Sequence, residues 1–311
     1  MVRNATESDT RFVKELWSVC FNDSEKFVNW NFDKNYSCKN TIIAEINETP
    51  ASAAQYIPYQ LSVLGQSVPI GFVSGVSTLP QYRNNGLVRQ ILPFGLNRLY
   101  KSGAYFSLLV PAVFGLYEKF GYSTVCQRIS YPDSVAEGVV VRNMCDTLVD
   151  LLADIYKKEH ADNSIFIARS KHNFELILDE LFNISGGYII LDNLKQPSAY
   201  AIVHGNGEVC EICGKLLLNT SGKTETPLMA RIVNADKVLR LLAPILKNGT
   251  IFDISDDIIP ENNICVMIDG KEIVPCKPDG KKTNITELCE LLFKKLGEIK
   301  NGCDINFVLE I

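Results

Sequence analysis

The sequence predicts an α/β protein of the mixed, α+β kind, and three observations carry that reading. Strand-like runs fill 41–78, while helical periodicity marks 12–20 and 88–99. The apolar strand Gly71 to Thr78 feeds directly into a helix through Leu79-Pro-Gln-Tyr-Arg-Asn-Asn-Gly-Leu-Val-Arg89. Helices followed by a strand meander then recur between 146 and 213.

The first helix starts at Ser8 or Asp9 as cap and repeats Phe12, Val13, Leu16, Trp17 and Cys20. Thr41 to Ile46 reads as a strand and Asn47-Glu-Thr-Pro50 as a turn. Ser52 to Pro58 and Gln60 to Leu64 read as separate strands, with Gly65-Gln66 as the hairpin turn. After Gly71–Thr78 comes a helix repeating Val88, Ile91, Leu92, Gly95, Leu96 and Leu99. Pro93 should distort it, because proline lacks a backbone donor. Ala104 to Val110 is a further short strand. A second region, from Tyr131-Pro132, carries helices near 146–156 and 173–182, then three strands with turns at Asp192-Asn193 and Gly205-Asn-Gly207. A third region begins near Thr226-Pro227. In it Met229 to Val233 is a strand leading into a helix, and two strands flank Asp269-Gly270. A helix capped by Asn284, with Glu287 three residues on, runs to about Leu296. Ile305 to Ile311 reads as a closing strand.

The bulk numbers narrow the function classes. The 311 residues allow two or three domains at about 100–200 residues each. Lys plus Arg is 31 and Asp plus Glu 36, a net charge of −5, which argues against a nucleic-acid binder with a basic face. There is no run of about 18 apolar residues and no basic-then-apolar leader, so the expected location is the cytoplasm, with no membrane partner. The ten cysteines are irregularly spaced, and Cys210-Glu-Ile-Cys213, the one C-x-x-C, falls in a strand. His160, His172 and His204 stand apart, so no metal is expected.

Two segments carry chemistry. The 79–89 junction places Arg83, two asparagines and Gly86 at a helix N-terminus, where a row of backbone N–H groups can face a phosphate. Some thirty residues on, Leu109-Val-Pro-Ala-Val-Phe-Gly-Leu-Tyr-Glu-Lys-Phe-Gly-Tyr122 is dense in aromatics. A phosphate cradle followed by a lone tyrosine acid points to acyl transfer from a coenzyme A thioester. An alkylammonium acceptor has a pKa near 10.4, so at neutral pH a base or water relay must take its proton. The thioester oxyanion needs a backbone donor.

These segments resemble the GCN5-related N-acetyltransferases (GNAT) of the Eis type, aminoglycoside and polyamine acetyltransferases. The likeness is densest at Arg11 to Phe32, Gly75 to Arg89 and Pro111 to Tyr122, with Met229-Ala-Arg-Ile-Val-Asn marking the third region. The family's pyrophosphate signature, Arg/Gln-x-x-Gly-x-Gly/Ala, reads here Arg83-Asn-Asn-Gly-Leu-Val88, with Val in place of the last small residue. The resemblance implies a catalytic GNAT domain over 1–130, a degenerate second GNAT domain over 131–225 and a small domain like sterol carrier protein 2 over 226–311. It implies that Val76, Ser77 and Thr78 contact the acyl-pantetheine arm of acetyl-CoA. Arg83, Asn84, Asn85, Gly86, Leu87, Val88 and Arg89 would hold its pyrophosphate, with Ala112 and Val113 alongside. Tyr117, five residues before Tyr122, matches the family's general acid, and the α-carboxylate of Ile311 its base. Trp30, Phe32, Tyr56, Tyr59 and Phe114 are the candidate lining of the acceptor pocket, and Tyr122 reads as structural. A homo-oligomer is implied by the resemblance alone.

Three readings of function stand side by side. The first is N-acetylation of a small polycationic amine. The second is acetylation of a protein or peptide lysine, which needs an open groove. The third is an apolar-ligand-binding protein with a relic GNAT half, against which the joint presence of Arg83, Gly86 and Tyr117 argues.

Overall fold

The computed structural model describes the chain apart from Phe114, Asp133, Ser134, Asp146, Thr220, Ser221, 300–302 and 305–311. It opens with β1 (Val2–Asn4), α1 (Thr10–Cys20) and α2 (Glu25–Lys34). Asp9 is the N-cap of α1, and Ser24 caps α2 through the Phe27 N–H. Next come β2 (Thr41–Ile46), β3 (Thr49–Val63), β4 (Gln66–Thr78), α3 (Val88–Ser102), β5 (Phe106–Leu109) and β6 (Ser123–Ser130). The middle stretch holds β7 (Val135–Ala136), β8 (Val139–Val141), α4 (Leu148–Glu159), β9 (Ile165–Ile167) and α5 (Lys171–Glu180). It continues through β10 (Tyr188–Leu191), β11 (Tyr200–Val203), β12 (Val209–Cys213) and β13 (Leu218–Asn219). Then follow β14 (Thr224–Ile232), α6 (Ala235–Leu242), β15 (Ile251–Ser255), β16 (Cys265–Asp269), β17 (Glu272–Pro275), β18 (Lys282–Asn284), α7 (Ile285–Gly297) and β19 (Cys303–Asp304).

The main sheet runs β1-β2-β3-β4-β5-β14-β6, with β9 on the outer edge of β3 and β19 on β9. It therefore draws strands from all three stretches of sequence expected as separate domains. β14 inserts between β5 and β6, pairing Met229 with Leu109 and Leu228 with Cys126. β4 and β5 pair in parallel, as do β9 and β19 at the far edge, and β4 and β5 touch only over Ile70–Phe72 and Phe106–Leu108. Beyond Phe72, β4 continues for six more residues with β3 on one side and, among the described residues, no strand on the other.

The expected break between two strands at Pro58 and Tyr59 does not occur: β3 is one strand of 15 residues. β2 pairs with β3 up to Gln55, and β9 pairs with it from Leu61. Pro58 falls in the gap, where β3 is locally an edge strand and a missing N–H is tolerated. The tight turn after β3 is Leu64-Gly65, both at positive φ, the geometry of a two-residue hairpin.

Neighbouring strand residues face opposite layers. Ile42 and Ala44 meet α3 through Ile91, Leu92 and Leu96, while Ile43 joins Leu16, Trp17 and Val28 from α1 and α2. Ile70, Phe106 and Ile232 pack with α6 and α7 through Val238, Leu239, Leu288, Leu292 and Phe293, and with Phe252 and Ile268 of the last sheet. That last sheet has the order β17-β16-β15-β18. The middle stretch makes its own antiparallel sheet, β12-β11-β10-β8, closed by α4 and α5 around Leu152, Phe174 and Leu178. α3 continues through Pro93; the Asn97 side-chain amide donates to the Pro93 carbonyl at 2.9 Å, and the Tyr56 hydroxyl donates to the Ile91 and Leu92 carbonyls at 3.4 Å each. No helix among the described residues is long and apolar enough to cross a membrane.

Candidate active site

The site grows out of the split between β4 and β5. Past Phe72 the edge of β4 that faced β5 presents backbone groups that no strand among the described residues pairs. A register shift where Gln55 meets Ser74 and Ala53 meets Ser77 bends this stretch, with Gly75 at φ +60°. Val76 packs on the α3 core, the Ser77 hydroxyl donates to the Gly75 carbonyl at 3.0 Å, and Thr78 shares a hydroxyl contact with Ser52 at 2.9 Å.

The loop that follows is held from within. The Arg83 Nε donates to the Thr78 carbonyl at 3.3 Å, and the Asn85 amide donates to the carbonyls of Tyr82 and Arg83 at 3.1 and 3.3 Å. Asn84 and Gly86 both take positive φ, +64° and +73°. Leu87 is buried as the anchor beneath α3, while Arg83 to Gly86 and Arg89 are exposed. Among the described residues the N–H groups of Asn84 through Arg89 donate to no backbone carbonyl. A Cβ added at Gly86 would meet nothing within 4 Å, so the loop borders open space. Unpaired N–H groups in alternating backbone conformations, at the start of a 15-residue helix, form an anion cradle. That donor set fits a pyrophosphate. Arg89 adds an exposed cation that makes no ion pair among the described residues.

Across the split, the chain leaving β5 places Tyr117 in the same core as Val73, Leu87 and Ile91, with Val76, Val88 and Leu116 packed around it. Its ring meets Tyr122 edge-on at 6.1 Å. Burial pushes the Tyr117 phenol above its ordinary value of 10.0, so it stays protonated at neutral pH and can donate. Tyr122 is fully buried and shares a 2.6 Å hydroxyl contact with Ser107, which makes it a structural prop. The segment between them is braced by Arg231, whose Nη1 donates to the Phe120 carbonyl at 2.8 Å. Sequence reasoning missed Arg231; a lone arginine within an apolar strand run was the available signal.

The expected acceptor-side aromatics scatter. Tyr56 is a core residue beneath α3, packed so closely that Gly95 has no room for a Cβ. Trp30 and Phe32 lie on the opposite layer with Trp17. The Trp30 indole N–H donates to Asp179 of α5 at 2.7 Å, and Phe32 stacks on Tyr36. Tyr59 packs edge-on against Phe72. Ala112 and Val113 are exposed at the mouth of the split. Phe114 and Ile311 lie outside the described residues. A cavity of about 480 Å³ lined by Glu118 to Gly121 runs to Asp257 and Glu287 and includes none of the predicted site residues in its lining. No group of three or more His, Cys, Asp or Glu that could hold a metal occurs among the described residues.

Known proteins share part of this sequence and most of this fold. Residues 1–125 match the family described as acetyltransferase (GNAT) domain. The first 125 residues are therefore similar to GNAT acetyltransferase domains. The GNAT match ends within β6, yet β14 completes the sheet from a hundred residues further on. Solved structures extend the likeness of fold to nearly the whole chain. A conserved protein of Enterococcus faecalis superposes with a TM-score of 0.76 at 16% identity, over 94% of this chain and 89% of its own. A GCN5-related N-acetyltransferase of Anabaena variabilis gives 0.70 at 17% identity, over 94% and 89%. Eis1 of Mycobacterium abscessus gives 0.70 at 13% identity, over 96% and 90%. No curated protein is a significant match to the sequence.

Proposed function

We propose that the protein is an acetyl-CoA-dependent N-acetyltransferase acting on a primary amine of a small polycationic acceptor. The observation that carries the reading is the pairing, across the β4/β5 split, of an open N–H cradle at Asn84 to Arg89 with the protonated phenol of Tyr117. In this reading acetyl-CoA supplies the thioester acyl group. The cradle binds pyrophosphate oxygens, with Arg83 and Arg89 adding charge. The unpaired edge of β4 around Val76 to Thr78 takes the pantetheine amides as an added strand takes a neighbour, and offers an N–H to the carbonyl oxygen. Tyr117 donates its proton toward the departing sulfur, a group with a thiol pKa of about 8.5. A base must accept the acceptor's proton, and the α-carboxylate of Ile311 is the proposed group. Residues 131–225 serve as a second, non-catalytic GNAT-like unit and 226–311 as a sterol-carrier-like unit, and the assembly is a homo-oligomer.

The test is thiol release from acetyl-CoA with aminoglycosides, polyamines and a lysine peptide as acceptors. Tyr117→Phe is expected to lower kcat by about 10²–10⁴ with coenzyme A affinity retained. A C-terminally extended chain that removes the free carboxylate of Ile311 is expected to lose activity too; full activity there would assign the base elsewhere. Turnover of the peptide alone would favour the protein-lysine reading. No turnover with any amine, together with no acetyl-CoA binding, would sink the enzyme reading.

A further inference from the structure

The Sγ atoms of Cys265 and Cys276 lie 3.4 Å apart, half-buried, in the last sheet. Cys265 opens β16, and Cys276 follows the final residue of β17, one place beyond the register pair Val266–Pro275. The Cys276 N–H donates to the Cys265 carbonyl at 3.1 Å. The two thus face each other across the continued β16–β17 register, in antiparallel pairing where directly opposite Cα atoms typically stand about 4.5–5.5 Å apart. A disulfide spans Cα separations of about 4.4–6.8 Å, so the sulfurs can close from contact to a bond of about 2.05 Å by side-chain rotation alone. Both thiols are partly open to solvent, whereas Cys38, Cys210, Cys213 and Cys289 are buried.

We propose that Cys265 and Cys276 form a redox-responsive dithiol, oxidised to an intramolecular disulfide by low-molecular-weight disulfides. The site is separate from the acyl-transfer chemistry and does not depend on it. Desolvation, and then the neighbouring Cys276 thiol, push the Cys265 thiol up to about 11. In this proposal Cys276, just past the end of β17, is the attacking sulfur. Its thiolate attacks one sulfur of the small disulfide, forming a mixed disulfide and expelling one small thiolate, which takes up the proton Cys276 gave away. The Cys265 thiolate then attacks the Cys276 sulfur, and the second small thiolate leaves with the proton from Cys265. The protein loses two electrons and two protons, and one small disulfide becomes two thiols. The new bond fastens the start of β16, separated by one residue from Asn262 and Asn263. Asn262 donates to the Asp256 carboxylate at 2.9 Å, and Asn263 accepts the Asp256 N–H at 3.0 Å.

The experiment equilibrates the full-length protein in glutathione buffers of rising oxidised fraction, traps free thiols by alkylation and maps the peptides. The expected result is a crosslinked peptide pair joining Cys265 to Cys276, about 2 Da lighter than its reduced parts and reversed by dithiothreitol. Cys276→Ser should abolish it, and Cys265→Ser should stop at a glutathione adduct on Cys276. Recovery of both wild-type cysteines as separately alkylated peptides, with oxidised glutathione in excess, would overturn the proposal. So would crosslinks confined to other cysteines. The wild-type map decides on its own, whether or not a serine variant folds.

Discussion

Arg231 donates from Nη1 to the Phe120 carbonyl while its Nη2 reaches both Asp256 oxygens at 2.7 Å, and both side chains are buried to within 1%. The relationship joins three places far apart in sequence: strand β14, the turn that follows Tyr117, and the end of β15. Asp256 also accepts from the N–H groups of Ile258 and Ile259 and from the Asn262 amide, so the carboxylate is thoroughly satisfied.

Arg231→Met removes one partner of this pair and strands a buried charge. The expected loss is about 3–5 kcal/mol of stability, measured by urea unfolding. A loss below about 1 kcal/mol, the range of exposed pairs, would mean water reaches Asp256.

Gly86→Ala separates cradle from fold. A side chain at φ +73° costs about 1–2 kcal/mol of backbone strain, but it meets nothing nearby, so the fold should survive. In the proposed binding mode the methyl group stands where a phosphate oxygen would approach. Titration calorimetry should give a coenzyme A Kd raised by about tenfold or more, equivalent to about 1.4 kcal/mol. An unchanged Kd would remove the loop from coenzyme A binding.

Gly95→Ala tests the contact of α3 with β3. The added Cβ would fall 1.9 Å from Cζ of Tyr56, so the helix must shift. Destabilisation of about 1–3 kcal/mol is expected. Tyr56→Ala in the same chain should recover part of it, since residues in contact are non-additive. Additive losses in the double-mutant cycle would contradict the contact.

Glu180 gives the pH dependence. Burial raises its carboxyl from the ordinary 4.5 to about 7, so the folded state holds the proton more tightly than the unfolded chain. Its contribution is fully present below about pH 4.5 and is lost as pH rises through about 7. Glu180→Gln should flatten that part of the stability curve, followed as denaturation midpoint against pH. A slope that stays the same would assign the effect to another group.

Much of the architecture was legible locally. Amphipathic periodicity located α1, α3 and α7, and the Asn284–Glu287 capping box stands where the spacing put it. Arg83, Gly86 and Tyr117 drew attention because glycine, asparagine and aromatic residues at such spacing serve few purely structural ends. The single strand through Pro58 was not legible, since whether a proline breaks a strand depends on which neighbour its missing N–H would have faced. Tyr56, Trp30 and Phe32 carried no mark of the layer each would join.

By itself the sequence determined the local elements and the turn that opens α3, because capping, turn geometry and side-chain period act over a few residues. Only the tertiary structure decided that β14 completes the first sheet between β5 and β6, that β4 parts from β5 at Phe72, and that Arg231 braces the Tyr117 segment. Those are relationships between residues about 36 to more than a hundred positions apart. Their free energy comes from burying shared surface and satisfying buried donors, which no window of sequence contains.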